Sequence, residues 1–72
     1  MSDFNTMTES GIYTMTSNIN SPVSGDYFYG MMLVMAGLYG YITQFAIATS
    51  GDIYCRTFNS VSWEEWKHIT AT

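Results

Sequence analysis

The sequence predicts an all-β chain, a small antiparallel sheet of about five strands folded as one domain over residues 1–72. Two observations carry that expectation. The stretch from Tyr39 to Phe58, YGYITQFAIATSGDIYCRTF, sets β-branched and aromatic residues on both sides of Ser50-Gly51 with no proline between them, a strong hairpin signal. Elsewhere the apolar segments are short and separated by clusters of Gly, Ser, Asn and Pro, the punctuation of turns.

In chain order, residues 1–10 are polar, with Phe4 and Met7 as internal apolar anchors, and form a lead-in to the domain, either a short helical turn or an extended segment. Gly11 to Thr16 alternates and is β-branched, as a first strand does. Ser17 to Gly25 has loop composition, and Pro22 forbids a central strand there. Tyr27 to Ala36 is apolar almost throughout, which predicts a second strand buried on both faces. Gly37 marks the turn into the hairpin, and Gly40 marks a bulge or a close backbone approach.

A two- or four-residue loop in that hairpin pairs Phe45 with Arg56 and Ile47 with Tyr54. Neither face is then clearly polar, so both require cover, from the rest of the chain or from another copy. Asn59-Ser60 supplies a further turn, and Val61 to Ile69 makes the last strand. Trp63 and Trp66 fall on opposite faces of a regular strand; a bulge or bend at Glu64-Glu65 puts them on one, and a helical turn does the same. The segment is too short and uncapped for a stable helix, which favours the bent strand.

Composition narrows the function. A chain of 72 residues buries only about 60% of its unfolded surface, so it needs a disulfide, a metal, tight packing or an oligomer to be robust. One cysteine excludes an internal disulfide, and one His with one Cys does not supply four zinc ligands. Between tight packing and oligomerisation, the sequence favours the oligomer as the source of additional stability. Charged residues make up 11% of the chain, against about 25% in an average protein, and the net charge is −4. That argues against nucleic acid and anionic membranes as partners. The longest apolar run, Met31 to Ala36, is far below the roughly 20 residues of a membrane span, and no basic region followed by an apolar run marks a signal peptide, so a product made in a cytoplasm and soluble unless something carries it out is expected.

Chemistry has few handholds. No Gly-x-Ser-x-Gly elbow or phosphate-cradling glycine loop occurs, and Glu64 and Glu65 are adjacent, so they do not flank a single bond; the chain is not expected to be an enzyme, and no cofactor or metal is expected. His68 lacks companion ligands, and Cys55 reads as a small core residue. Gln44 and Arg56, polar among apolar neighbours, read as structural, with Glu64 or Glu65 as ion-pair partners of the guanidinium. The tyrosines and the two tryptophans are candidates for a sugar-stacking platform, though aromatic residues on strands more often serve the core. Beside the 17–25 loop, Tyr27 and Tyr29 are the members expected to be exposed; with Asn18 and Asn20 of the loop they form the candidate ligand-binding set.

The ordered set Asp3-Phe4-Asn5-Thr6, Gly11-Ile12-Tyr13, Asn20-Ser21-Pro22, Gln44, Gly51-Asp52-Ile53-Tyr54-Cys55-Arg56 and Trp63-Glu64-Glu65-Trp66-Lys67 resembles the pyocin knob family, small β domains of bacteriophage and R-type pyocin tail fibres. The resemblance spans Asp3 to Ile69, with Glu64-Glu65 standing where relatives often carry a proline before the second tryptophan. It implies a homotrimeric virion component, made in the host cytoplasm and carried on a tail fibre among other tail proteins. Such a knob meets the bacterial surface, and its expected ligand is a surface polysaccharide. The alternative it implies is a structural trimerisation or tip-capping module with no external ligand.

Overall fold

Strands form where the β-branched and aromatic runs lie. The computed structural model describes residues 3–24 and 26–69, so Gly25 of the predicted loop and the ends of the predicted domain lie outside the described residues. Five strands, β1 (Gly11–Ser17), β2 (Phe28–Ala36), β3 (Tyr41–Ala48), β4 (Ile53–Asn59) and β5 (Lys67–Ile69), pair antiparallel in the order β1-β2-β3-β4-β5, a single-sheet meander. Helical structure among the described residues is confined to two 3-10 turns, Phe4–Thr6 and Leu38–Gly40.

The central hairpin forms where expected, with a register one residue away from the predicted one. Gln44 pairs with Arg56, Ala46 with Tyr54, Phe45 with Cys55 and Ile47 with Ile53. The cause is an odd loop. Ala48 N donates to Asp52 O at 2.8 Å and Gly51 N to Ala48 O at 2.9 Å, leaving Thr49, Ser50 and Gly51 as a three-residue connection with Gly51 at φ 95°. A left-handed glycine closing a three-residue loop sets a register different from that of a two- or four-residue one. Consequently Gln44 and Arg56 share a face. Tyr39 is not a strand residue as predicted; it sits in the 3-10 turn at φ 61°.

One face of the sheet is covered. Met15, Phe28, Met32, Val34 and Ala46 point into it, and Phe4 from the N-terminal segment closes it, with Met7, Val23 and Trp66 packed against the cluster. The presumed lead-in is therefore core. Its anchoring is polar as well as apolar: Phe4 N donates to Ile19 O at 3.1 Å, and Asp3 Oδ1 accepts from Asn5 N and from Asn20 Nδ2, both at 2.8 Å.

The other face has no cover among the described residues. Ile12, Met31, Met35 and Ile47 stand exposed on it beside half-buried Leu33, Phe45, Ile53 and Cys55, with Ile12 70% accessible. The overall extents, 33 × 32 × 20 Å, are those of one sheet with one covering layer, since stacked layers add about 10 Å each. The expectation that β2 is buried on both faces and Cys55 in the core is thus corrected: alternation along β2 runs buried at Phe28, Met32 and Val34 and exposed at Tyr29, Met31 and Met35.

Close backbone approach is found at Gly30, and Gly40 instead supplies a positive φ of 79°. A Cβ at Gly30 would sit 2.1 Å from Ile47 O and 2.9 Å from Ala48 Cα, inside the neighbouring strand. Gly30→Ala is therefore expected to destabilise the fold by about 3 kcal/mol, the upper part of the usual overpacking range. The denaturant midpoint measures it. A neutral outcome would mean that β2 and β3 are not so closely apposed.

Candidate functional site

Arg56 organises the covered face near its edge. It stands mid-strand on β4, opposite Gln44 on β3, and is only 6% accessible. A guanidinium placed there requires partners, and two kinds are present. Its Nε donates to Gln44 Oε1 at 2.8 Å. Gln44 Nε2 in turn donates to the carbonyls of Phe4 at 2.7 Å and Met7 at 2.9 Å, so the amide ties the N-terminal segment to the arginine. The guanidinium carbon lies 4.0 Å from the ring centre of Trp63 and 4.4 Å from that of Trp66, within cation–π range of both indoles. Burial pushes its pKa down to about 10, partly opposed by the Asp3 carboxylate, so Arg56 is a cation at neutral pH.

The bend predicted between the tryptophans is what brings both indoles to one cation. Asn59 N donates to Ser62 O at 3.1 Å, and Asn59 Oδ1 accepts from Val61 N and Ser62 N, forming a tight corner after β4. Trp63 then pairs with Phe58, whereas regular pairing resumes with Lys67 opposite Cys55. The offset grows by one residue in between, and that inserted residue places both indoles on the covered side. The last strand is correspondingly shorter than the predicted Val61–Ile69, with only Lys67–Ile69 in β5. Glu64 and Glu65 are exposed and form no ion pair with Arg56, contrary to expectation; the same bend turns them away from the buried strand.

A cleft of about 640 Å³ opens beside this cluster, lined by Arg56, Trp63, Glu64, Glu65 and Trp66 on one side and by Asn5, Asn18, Asn20, Ser21, Pro22 and Ser24 on the other. Two of its lining residues each carry a buried polar atom without a hydrogen-bond partner: Arg56 Nη2, a donor, and Asn5 Oδ1, an acceptor. Asn20 is at φ 57°; its carbonyl accepts from Trp66 Nε1 at 3.0 Å, which fixes that wall to the floor. Of the predicted ligand-binding residues, Asn18 and Asn20 fall here.

Tyr27 and Tyr29 fall elsewhere. Both are exposed, and their rings stack at 5.9 Å with 23° between planes. They border a smaller hollow of about 190 Å³ with Val23, Thr49, Ser50, Asp52 and Tyr54. The candidate set therefore divides between two sites. Sequence reasoning did not place Asn5, Glu64 or Glu65 at a cleft; the Trp-x-x-Trp spacing beside a buried arginine was the available signal, and it was read chiefly as core.

Beside the smaller hollow, His68 stacks on Tyr54 at 4.8 Å and its Nε2 lies 3.1 Å from Asp52 Oδ1. No group of three His, Cys, Asp or Glu side chains converges on a metal position among the described residues. The Asp52 carboxyl is held below its ordinary value first by the Ser50 hydroxyl, which donates to Oδ2 at 2.8 Å, and then by His68. A carboxyl depressed in the folded state contributes stability above its unfolded pKa and loses it as pH falls through the folded one. Ser50→Ala is accordingly expected to raise the Asp52 midpoint in an NMR titration more than His68→Ala does. The reverse order would contradict the assignment of the hydroxyl as the main cause.

Compared with protein-family models, curated proteins and solved structures, the chain matches none of them significantly.

Proposed function

We propose that this chain is a self-associating recognition module: a knob of a phage or pyocin-type tail fibre, carried on the virion as a homotrimer and attaching it to the bacterial surface through a polysaccharide. The observation that supports this reading is the contrast between the two sides of the sheet. One is bare and apolar, with exposed Ile12, Met31, Met35 and Ile47; the other carries loops, buried polar groups and a cleft. A contiguous exposed apolar face marks an interaction surface, and in a chain with 11% charged residues a second copy of itself is the complementary partner. The loop side stays outward. Weak contacts repeated on three copies then add through effective concentration, which suits attachment to a repetitive polymer.

Native mass spectrometry of the full chain at micromolar concentration is expected to give a trimer of the 8.1 kDa chain, and Leu33→Lys, in the middle of the bare face, to give monomers with unchanged sheet content. Binding to host cells should fall when Asn18 and Asn20 are replaced together. A wild-type chain that is monomeric and sharply folded, or trimers that never bind cells or their polysaccharides, would overturn the respective half of the proposal.

A further inference from the structure

Resting on the reading as a glycan-recognising module, we infer that the cleft at Arg56 is a site for a neutral, hydroxyl-rich ligand such as a hexose, received between Arg56 Nη2 and Asn5 Oδ1, and that it rejects acidic sugars.

The unpartnered atoms carry the inference. Arg56 Nη2 and Asn5 Oδ1 are the two buried side-chain polar atoms without partners among the described residues, and both border one cleft. Native proteins rarely leave such groups unpaired, and those that do occur call for an explanation. One is a donor and the other an acceptor. A hydroxyl answers both, as a water molecule does, accepting from an N–H while donating its own proton to a carbonyl oxygen. An ammonium has nothing to accept with, and a carboxylate has nothing to donate.

Charge points the same way. The cleft lining holds one cation, Arg56, and two carboxylates, Glu64 and Glu65, so an anionic ligand meets net repulsion and a neutral polyol does not. Those carboxylates also accept hydrogen bonds from further hydroxyls. Arg56 already covers one face of each indole, and Trp63 also contacts Phe58 and Trp66 also contacts Phe4, which favours recognition here by hydrogen bonds over sugar stacking. The volume of about 640 Å³ is that of ordinary small-molecule sites. Asn5 Oδ1 and Arg56 Nη2 are buried in this arrangement, and Asn20 is bonded to Asp3 and Trp66 beside them, so admitting a hydroxyl between the two atoms requires those bonds to open.

The test is an NMR titration of the full chain with two probe sets, trisaccharides of glucose, galactose and mannose, and trisaccharides of glucuronate and galacturonate. At least one neutral probe is expected to shift the Arg56 Nε–H and Trp66 indole signals saturably, and the uronates to bind at least tenfold more weakly. Asn5→Leu should weaken the neutral probe about tenfold, the loss of one buried hydrogen bond. Asn5→Asp, which keeps the acceptor, should retain it. Glu64→Gln with Glu65→Gln should narrow the discrimination against uronates. Asn5 is half-buried and no described side-chain bond of the fold depends on it, and signal dispersion verifies folding of each variant. Equal or tighter uronate binding, shifts confined to Tyr27, Tyr29 and Tyr54, or indifference to Asn5→Leu would overturn the inference and leave glycan recognition standing. Absence of binding to either probe set, in a protein that also fails to bind host cells or their polysaccharide, would overturn both.

Discussion

Gln44→Ala is expected to destabilise the folded chain by about 4 kcal/mol, more than any exposed substitution. The side chain is fully buried and makes three hydrogen bonds: Nε2 donates to Phe4 O and Met7 O, and Oε1 accepts from Arg56 Nε. Truncation leaves two carbonyls and a charged N–H without partners inside the protein. Each neutral orphan costs about 1–3 kcal/mol and a charged one more, offset by whatever water enters the space. A chain of this length holds roughly 4–11 kcal/mol in all, so the loss takes away at least about a third of its stability. Urea denaturation at unchanged slope measures the loss. Gln44→Glu separates charge from donor count: the carboxylate gains attraction to Arg56 and cannot donate to Phe4 O or Met7 O. It is expected to lose about 2 kcal/mol at neutral pH. A stabilised Gln44→Glu would show that the amide's donors contribute little, and a double-mutant cycle with Arg56→Met apportions the rest.

Much of this arrangement is written locally in the chain. β-Branched runs between turn clusters placed four of the strands within a few residues, because strand formation and turn chemistry are both short-range preferences. That Gln44 and Arg56 need partners within the fold was legible for the same reason: each interrupts an apolar strand, and a buried guanidinium demands company. The company itself was not legible. Gln44 reaches Phe4 O across 40 positions, and Arg56 takes two indoles in place of the expected carboxylates, choices made by packing. Register was lost to a single residue. Ser50-Gly51 reads equally as the centre of an even loop or the end of an odd one, and only the left-handed Gly51 after a full turn distinguishes them. Tyr27 and Tyr29 were correctly expected to be exposed, yet they border a different hollow from Asn18 and Asn20: Tyr29 O accepts from Thr49 N at the central hairpin, whereas Asn20 is bonded to Asp3 and Trp66.

Phe4→Ala is expected to remove about 4 kcal/mol, which settles whether the N-terminal segment is an appendage or part of the core. Phe4 is fully buried, and its ring meets Phe28 at 5.6 Å and Trp66 at 5.7 Å, both edge-to-face. Truncating a buried phenylalanine costs about 3–5 kcal/mol from lost transfer free energy and the cavity left behind. Here the cavity opens beneath the cation stack. Trp66 loses the ring that backs it, so its indole emission should shift to the red before global unfolding, and the Arg56 contact should loosen with it. Met7→Ala, at a half-buried position with its carbonyl bond to Gln44 intact, is expected to lose less than half as much. Were residues 3–7 only a lead-in, both variants would melt with the parent chain and the indole emission would stay put. A large Phe4 effect instead makes this segment the second layer that a five-stranded sheet of 72 residues requires to bury even one of its faces.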